Sequence, residues 1–200
     1  GCIPSKALLH MAKVITEAEE AAVAGIRFGK PQIDLAKLKT WKESVVARLT
    51  KGLAGLAKQR NVEVVRGSGK FASPHTLRVD TAAGAKTIGF DHCIIAAGSE
   101  SARIPGFPYD DKRLMDSTGA LELAALPKRM LVIGGGIIGL EMATVYDALG
   151  AKVSVVELMD SLIPGADPDL VRPLRKRIDK RYEQILLKTK VARLEASAKG

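Results

Sequence analysis

The sequence predicts an α/β protein built on a parallel sheet, and two observations lead to that fold class. From residue 130 onward, short apolar runs alternate with helix-periodic segments in the order strand, helix, strand, helix, strand. A run of three glycines joins the first of these strands to its helix. The chain has 200 residues, of which 46% are hydrophobic and 26% charged. It can therefore bury a core, and it is neither disordered nor collagen-like.

The first 60 residues predict a hairpin of two helices. Residues from Ser5 to about Ala24 are rich in alanine and repeat apolar side chains with helical spacing. After a loop with glycine and proline, Asp34 is placed to cap a second helix. The apolar stripe of that helix consists of Leu35, Leu38, Trp41, Val45, Leu49, Leu53 and Leu56. Trp41 is therefore expected in the core.

The chain from Val62 to Ile95 changes to the two-residue period of β-structure. Glycines at positions 67, 69 and 84 separate short strands expected at residues 62–65, 77–79 and 87–90, which predicts a small β-meander. The following run, 93–96, is continuously apolar, as in a buried parallel strand. Cys93 is therefore expected to be an inert core residue.

A proline-containing linker and a short helix near residues 118–123 lead into the most regular part of the chain. The elements predicted there are a strand at 130–133, a helix at 136–149, a strand at 152–157, a basic helix after Pro168 and a strand at 185–187, with Val191 also strand-like. No apolar run approaches the ~18 residues of a membrane span. Two cysteines also exclude a disulfide-stapled secreted domain.

The glycine-rich segment carries the strongest chemical signal, because Gly134, Gly136 and Gly139 match G-x-G-x-x-G between a strand and a helix. The first glycine permits a tight turn, the second lets the backbone approach a pyrophosphate, and the third lets helix and strand pack closely. The pyrophosphate would bind at the helix N-terminus. A turn without a ligand is the alternative. The candidate dinucleotide-binding residues are Gly134, Gly135, Gly136, Ile137, Ile138, Gly139, Leu140 and Glu141.

An acidic residue, Glu157, ends the second strand of this series. It follows Gly139 at close to the spacing of roughly 20 residues that a ribose-binding carboxylate keeps in dinucleotide sites. Such a carboxylate accepts a hydrogen bond from the ribose 2′-hydroxyl and repels a 2′-phosphate. We therefore expect this site to prefer NAD(H) over NADP(H).

The formal net charge of +9 raises the question of a nucleic-acid or anionic membrane partner. The excess is concentrated in one short stretch that contains Arg172, Arg175, Lys176, Arg177, Lys180 and Arg181. Its spacing favours the solvated face of a helix whose apolar side carries Leu170, Leu174 and Ile178. No recognisable nucleic-acid module accompanies it, so no nucleic-acid partner is expected. A patch that binds another partner is the remaining alternative.

Cys2 has two interpretations. The start Gly1-Cys2-Ile3-Pro4-Ser5 fits an N-myristoylation pattern with Cys2 as a palmitoylation site, which requires a flexible N-terminus. Alternatively, Cys2 directly precedes a helix with Lys6 close by, and the helix dipole and the positive charge stabilise a thiolate there. The proline followed by a helix favours the second interpretation, a redox-active cysteine.

The segment Gly1-Cys2-Ile3-Pro4-Ser5-Lys6 resembles the second half of the redox-disulfide signature of FAD-dependent pyridine nucleotide–disulfide oxidoreductases. Segments 7–10, 156–160 and 167–170 resemble the dihydrolipoamide dehydrogenase branch in particular. The resemblance covers all 200 residues, less than half of a family chain. It implies two Rossmann-like nucleotide-binding domains, both incomplete. Residues 1–126 would be an FAD-binding domain without its N-terminal βαβ unit, and residues 127–200 the first part of an NAD-binding domain.

The resemblance also implies roles for single residues. Cys2 corresponds to the catalytic cysteine beside the flavin, Lys6 to the lysine near flavin N5, and Glu141 to the carboxylate partner of that lysine. Further positions that match cofactor contacts are Gly69, Ala97, Gly98 and Ser99 for FAD and Val191 for the nicotinamide nucleotide. Ala97 replaces a threonine of the family pattern, so a side-chain hydroxyl is missing there. No metal site is implied.

The implied activity is oxidation of dihydrolipoamide on the lipoyl domains of 2-oxo acid dehydrogenase complexes, through a cysteine pair and FAD, with reduction of NAD⁺. The partner cysteine would lie five residues before Cys2 and the catalytic His–Glu pair beyond Gly200, so the chain alone is expected to be inactive. The intact protein would be a homodimer of the bacterial cytoplasm in preference to the mitochondrial matrix. Two alternatives stay open: another NAD(P)H-dependent disulfide reductase of this family, and a non-catalytic dinucleotide-binding or assembly module.

Overall fold

The structure, a computed structural model, describes residues 1–197. Its elements are α1 (Cys2–Glu20), α2 (Leu35–Gln59), β1 (Ser68–Ser73), β2 (Thr76–Thr81), β3 (Gly84–Gly89), α3 (Ser117–Leu121), β4 (Arg129–Ile133), α4 (Ile137–Ala148), β5 (Lys152–Val156), α5 (Pro168–Ile178) and β6 (Gln184–Leu186). The chain forms two compact units, one made of Gly1–Val46 and the chain from Ser101 onward, the other of Ala47–Glu100. The predicted α/β class is confirmed. None of the described helices is both long and apolar enough to cross a membrane.

The first unit contains a parallel sheet of three strands in the order β4-β5-β6. Val132 of β4 pairs with Val155 of β5, which in turn pairs with Ile185 of β6. Four consecutive residues of β5, 153–156, are buried, as expected for a strand covered on both faces. The predicted order of strands and helices in this region is confirmed, except that Val191 lies outside any strand.

Helix α4 has two apolar sides, and each side packs in a different part of the core. Leu140 and Ala143 pack with the buried side chains of β4, β5 and the end of α5. Met142 and Tyr146 pack in a second cluster with Leu8 of α1 and the side chains of α3. Helix α1 therefore packs against the outer side of the dinucleotide-type βαβ unit.

Helix α1 begins at Cys2, three residues earlier than predicted, and a 3-10 turn over Ala21–Ala24 extends it. Pro4 lies in the first turn, where its missing N–H has no intrahelical partner to lose. Gly25 then ends the segment with φ +87°, a left-handed conformation that glycine adopts without strain. Cys2 is thus part of a helix and not of an extended N-terminal segment of the kind that the lipidation pattern requires.

Helix α2 is confirmed, and the backbone N–H of Lys37 donates to the predicted cap, Asp34, at 3.0 Å. The expectation that Trp41 lies in the core is wrong, since 36% of it is exposed. The neighbouring Lys42 is buried instead, and its Nζ donates to the carbonyl of Leu121 at 2.8 Å. Helix α2 therefore turns Lys42, and not Trp41, toward the interior.

The second unit contains an antiparallel sheet in the order β1-β2-β3, so the predicted meander is confirmed, but its first strand covers 68–73 and not the predicted 62–65. Two strand predictions in this unit are wrong. Residues 62–65 and 93–96 form no strand, Cys93 is exposed, and 93% of Ile94 is exposed. An apolar run becomes a buried strand only where a neighbouring strand pairs with its N–H and C=O groups. Among the described residues, no strand pairs with either segment.

Helix α5 confirms the basic helix but corrects its two faces. Leu174 and Ile178 pack against the sheet together with Val171, whereas 69% of the predicted inward residue Leu170 is exposed. Some of the basic residues on its polar side form ion pairs and are not simply solvated. Arg175 pairs with Asp179 at 2.6 Å, and Arg177 pairs with Glu20 of α1 at 3.5 Å.

Candidate active site

The glycine-rich turn between β4 and α4 has the geometry that its sequence pattern predicts. Gly134 has φ +105°, which L side chains rarely adopt, and its N–H donates to the carbonyl of Val156 at 2.8 Å. A Cβ at Gly139 would lie 3.2 Å from Cγ1 of Val132 and well inside contact distance of the Gly134 carbonyl oxygen. These two glycines therefore allow the tight turn and the close approach of α4 to β4.

Packing also requires glycine at Gly135, since a Cβ there would lie 2.5 Å from Cδ2 of Leu162 and 3.2 Å from Cβ of Glu157. Gly136 is different, because nothing lies within 4 Å of the position of its missing Cβ. Its φ is −75°, so its conformation does not require glycine. The open space beside Gly136 is therefore the feature of this turn that points to a ligand and not to packing.

Gly136 is also the N-cap of α4, and no side chain caps the helix there. The first N–H groups of a helix have no intrahelical partners, so this end can bind an anion. Ile137 and Ile138, the first two residues of the helix, are 61% and 60% exposed. Leu140 differs from them, since its side chain is buried in the core and its N–H donates to the Gly136 carbonyl at 3.0 Å. The turn fits the pyrophosphate of a dinucleotide through its backbone, while Leu140 supports it by packing.

Glu157 follows β5 directly and is only 7% exposed. Its Oε2 accepts a hydrogen bond from the Gly135 N–H at 2.6 Å, and its Oε1 accepts one from the Met159 N–H at 2.8 Å. The carboxylate thereby fixes the glycine turn, a contact that strand-and-spacing reasoning did not predict. Each carboxylate oxygen has a further lone pair, so Glu157 can also accept a hydrogen bond from a ribose hydroxyl.

Val191 lines a cavity of about 730 Å³ next to Val156, the last residue of β5. Ligands of open α/β sheets bind outside the carboxyl ends of the strands, which is where this cavity begins. Thr189, Lys190 and Arg193 line the same cavity. None of these three was predicted from the sequence, because the segment after β6 has neither a motif nor a period.

The second part of the candidate site joins α1 to α4. Lys6 of α1 forms an ion pair with Oε1 of Glu141, one turn into α4. The hydroxyl of Ser5 donates to Oε2 of the same carboxylate at 2.6 Å. Cys2 precedes Lys6 by four residues, so both side chains lie on the same face of α1, and both are exposed. The structure thus brings Lys6 and Glu141 together, while Ser5 is a contact that the sequence did not indicate.

The charges of this pair stabilise each other. Burial acts to raise the pKa of Glu141, but the hydrogen bonds from Lys6 and Ser5 outweigh it and hold that pKa below its ordinary value of 4.5. The hydrogen bond with Glu141 raises the pKa of Lys6 above its ordinary value of 10.5. A carboxylate and an ammonium group are therefore both present at neutral pH beside the Cys2 thiol.

The residues matched to FAD by resemblance also include four in the second unit. Gly69 lies in β1, where a Cβ would be 3.3 Å from Cδ2 of Leu77. Gly98 has φ +78° with open space around it, and Ala97 and Ser99 are exposed in a segment without helix or strand. An exposed left-handed turn with free backbone groups is compatible with a bound cofactor, and the missing hydroxyl at Ala97 leaves only backbone contacts there.

A metal centre is not apparent, because residues 1–197 contain no group of three or more His, Cys, Asp or Glu side chains that could hold a metal ion. The two cysteines are both free in this part of the chain. The chemistry-bearing groups of the candidate site are thus a thiol, an ammonium group, a carboxylate and a dinucleotide-type turn.

Comparison with known proteins gives a consistent result. A dihydrolipoyl dehydrogenase of Vibrio cholerae is 52% identical over 200 residues, which are 100% of this chain and 42% of that protein. One from Haemophilus influenzae is 51% identical over 201 residues, with the same coverage. This chain therefore spans about two fifths of the length of these relatives.

Solved structures extend the comparison to the fold. The HOCl-induced flavoprotein disulfide reductase RclA of Escherichia coli has a TM-score of 0.78 and 28% identity over 99% of this chain and 42% of that one. LpdA of Mycobacterium tuberculosis has a TM-score of 0.81 over 100% of this chain and 44% of that one, and at 22% identity it shows a shared fold only. The family pattern described as pyridine nucleotide-disulphide oxidoreductase matches residues 1–199. The chain belongs to the pyridine nucleotide-disulphide oxidoreductase family.

Proposed function

We propose that this chain is part of an FAD-containing dihydrolipoyl dehydrogenase that oxidises protein-bound dihydrolipoamide and reduces NAD⁺. The observation that carries the proposal is the contact of Lys6 with Glu141, which attaches the cysteine-bearing helix α1 to the helix of the dinucleotide turn. Relatives at 51% and 52% identity carry the name of this enzyme, which supports the choice within the family. Residues 1–126 belong to the FAD-binding domain and residues 127–200 begin the NAD-binding domain.

Cys2 acts by thiol–disulfide exchange in this proposal. A thiolate of dihydrolipoamide attacks a substrate-side cysteine that is disulfide-bonded to Cys2, so a mixed disulfide forms and Cys2 leaves as a thiolate. The second thiolate of the substrate then closes the lipoamide disulfide and releases the other cysteine. Dihydrolipoamide is oxidised and the cysteine pair is reduced, with two protons released. Cys2 lies in the first turn of α1, at its N-terminal end.

Lys6 and Glu141 keep a fixed positive charge next to this thiolate. FAD, when bound there, would supply the chemistry that takes two electrons from the reduced cysteine pair, so that its disulfide re-forms, and passes them on as hydride to a nicotinamide. Lys6 contributes a proton donor and a cation at an exposed position of α1, and Glu141 holds the ammonium group in place. Gly69, Ala97, Gly98 and Ser99 are proposed to contact the same cofactor, chiefly through their backbone.

NAD⁺ binds at the turn between β4 and α4 in this proposal, with its pyrophosphate over Gly136 and its adenosine ribose at Glu157. Val191, in the cavity next to Val156, is proposed to contact the same nucleotide. The buried carboxylate of Glu157 disfavours a 2′-phosphate, so NAD⁺ is preferred over NADP⁺. Equal use of the two nucleotides by the intact protein would contradict the role given to Glu157.

The partners follow from the proposed reaction. The dihydrolipoamide is carried by lipoyl domains of 2-oxo acid dehydrogenase complexes, and the intact protein is a homodimer whose second subunit supplies the base for the substrate thiol. The bacterial origin of relatives at 51–52% identity supports the bacterial cytoplasm as its location. Nucleic acid is not proposed as a partner.

The test replaces each of the two cysteines in the full-length protein. Cys2→Ser is expected to lower the rate of flavin reduction by dihydrolipoamide by about a thousandfold or more, because a serine hydroxyl cannot form the disulfide that dihydrolipoamide reduces. Cys93→Ser, at the other exposed cysteine, is the matched control and is expected to leave the rate unchanged. Stopped-flow absorbance of the flavin measures both. Normal reduction in Cys2→Ser would disprove the redox role of Cys2.

A further inference from the structure

Ser5 has a contact that neither the glycine pattern nor the cysteine signature explains. It lies in the first turns of α1 and is only 4% exposed. Its Oγ donates to Oε2 of Glu141 at 2.6 Å, while Lys6 meets Oε1. Adjacent residues of one helix therefore hold the two oxygens of a single carboxylate on another helix.

This arrangement restricts Glu141 in a way that Lys6 alone cannot. The last torsion of a glutamate side chain is soft, so a carboxylate held at one oxygen rotates readily. The Lys6 side chain is 65% exposed, whereas the Ser5 hydroxyl belongs to a buried residue of the helix. A short bond from a buried hydroxyl fixes the carboxylate plane, and this leaves Oε1 as the oxygen that faces Lys6.

We infer that Ser5 is a positioning residue that orients Glu141 and, through it, the Lys6 ammonium group beside Cys2. This inference rests on the proposed function, since the importance of the Lys6 position comes from the thiolate and the flavin. The hydrogen bond of the Ser5 hydroxyl goes to Glu141, which in turn pairs with Lys6. Its effect is therefore expected in the state of the thiolate and not in the binding of nucleotide.

The hydrogen bond also supports the charge on Glu141. Burial of its carboxyl group favours the neutral form, and the Ser5 hydroxyl and Lys6 both oppose this. Without the hydroxyl, Oε2 would lose its protein partner in a half-buried position, where an unsatisfied acceptor is costly. The carboxylate would then turn its free oxygen toward Lys6 or toward solvent, and in either case the ammonium group would lose its fixed position.

The experiment compares Ser5→Ala with a matched variant of the same helix in the full-length, flavin-loaded protein. Thr16→Val removes another buried hydroxyl of α1, one that donates to the backbone carbonyl of Ala12 and is remote from Glu141 in sequence. The readout is the long-wavelength absorbance of the two-electron-reduced protein, which reports a cysteine thiolate beside oxidised flavin. We expect Ser5→Ala to lower this absorbance at least threefold at equal flavin content, and Thr16→Val to leave it unchanged. An unchanged absorbance in Ser5→Ala, or an equal loss in both variants, would overturn the inference.

A double-mutant cycle attributes the effect to Glu141. Urea unfolding is measured for Ser5→Ala, Glu141→Ala and the double variant, because residues in direct contact show non-additive effects. The unfolding equilibrium constant is expected to change at least threefold less for Ser5→Ala in the Glu141→Ala background than in the wild type. Additive effects would overturn the inference, since Ser5 would then act elsewhere. If the wild-type protein binds FAD but lacks the absorbance band, the proposed function fails instead, and the cycle alone decides whether Ser5 positions Glu141.

Discussion

Within the turn between β4 and α4, packing explains one glycine and does not explain another. Gly139 is needed because its missing Cβ would contact Val132 and the Gly134 carbonyl, whereas the missing Cβ of Gly136 would contact nothing. The same motif therefore contains a glycine that the fold requires and a glycine that packing does not explain, for which we propose contact with a ligand. Substitution by alanine tests this distinction directly.

We expect Gly139→Ala to destabilise the protein by about 1–3 kcal/mol, the usual cost of forcing extra atoms into a packed site, reduced by the better helix propensity of alanine. Gly136→Ala is expected to cost less than Gly139→Ala, about 1 kcal/mol or below, because φ is −75°, space is available, and only the N-cap preference for glycine over alanine is lost. NAD⁺ affinity should nevertheless fall in Gly136→Ala. Urea unfolding and calorimetric titration measure the two effects. Equal destabilisation by both substitutions would contradict the assignment.

The pair of Lys6 and Glu141 predicts a particular dependence of stability on pH. The pKa of Glu141 lies below 4.5 in the folded state, so its contribution is present above that pH and is lost as the pH falls through the folded value. The pKa of Lys6 lies above 10.5, so its contribution is present below that pH and is lost as the pH rises through the folded value. The difference in unfolding free energy between wild type and Glu141→Gln should therefore be constant from about pH 5 to about pH 10 and shrink at lower pH. A difference that grows on acidification would show that Glu141 does not have a lowered pKa.

At the scale of elements, sequence period predicted helices and the strands of the parallel sheet well, because their partners follow closely along the chain. The helix predicted at 136–149 is α4 with its two capping residues, Gly136 and Leu149. The apolar runs at 62–65 and 93–96 failed for a physical reason, since strand pairing depends on a neighbour that a local pattern does not contain. A run of valine or isoleucine shows what a segment could bury and not what is available to cover it.

The contacts of the candidate site were also only partly predictable, because some of their partners are distant in sequence. Motif spacing indicated the glycine turn and Glu157, and resemblance indicated Cys2, Lys6 and Glu141. The contact of Ser5 with Glu141 joins residues far apart in the sequence, and such a pair has no local signal. The contact of Glu157 with the Gly135 N–H likewise depends on the path of the loop after β5. The sequence therefore indicated both glutamates, Glu141 and Glu157, but not the hydroxyl and the backbone N–H group that donate to them.

The short helix α3 depends on polar contacts from two other helices. The Tyr146 hydroxyl of α4 donates to the carbonyl of Ala120 at 2.8 Å, and Lys42 of α2 donates to that of Leu121 at 2.8 Å. The last carbonyls of a helix have no intrahelical donors, so these side chains satisfy the C-terminal end of α3. Lys42 is thus a buried lysine whose ammonium group stabilises the end of α3.

Lys42→Met is expected to destabilise the protein by about 1–3 kcal/mol, because it leaves the buried Leu121 carbonyl without a donor while keeping the length of the side chain. Lys39→Met, one turn earlier, is the control. Lys39 forms an exposed ion pair with Glu122 at 3.0 Å, so its removal should have a much smaller effect. Urea unfolding of the two variants decides the matter. Equal effects would mean that the burial of Lys42 contributes nothing specific.

At the scale of the whole molecule, helix α1 is attached to the rest of its unit by charge as well as by apolar packing. Near its start, Lys6 pairs with Glu141, and near its end, Glu19 pairs with Arg181 at 3.3 Å. Arg181 also pairs with Asp147, close to the C-terminal end of α4. The basic stretch after Pro168 therefore contains a residue that connects α1 and α4, which neither the solvated-face nor the partner-patch interpretation anticipated.

Arg181→Met is expected to destabilise the protein by about 1–3 kcal/mol at neutral pH, less than for a fully buried pair because Arg181 remains partly exposed. The loss comes from leaving the Asp147 carboxylate half-buried without its partner. Burial raises the pKa of Asp147 above its ordinary value of 3.8 even with Arg181 present, and removal of the arginine would raise it further.

The effect of Arg181→Met should consequently depend on pH with a definite sign. A carboxyl group whose pKa is raised by folding binds more protons in the native state, so stability falls as the pH rises through the folded value. The variant should therefore lose more stability relative to wild type at about pH 8 than at about pH 4, where Asp147 takes up a proton. Adding Asp147→Asn should recover most of the loss and remove the pH dependence. Urea midpoints at the two pH values for the single and double variants measure this. A loss that is independent of pH would mean that Arg181 stabilises α1 and α4 by packing and not by its charge.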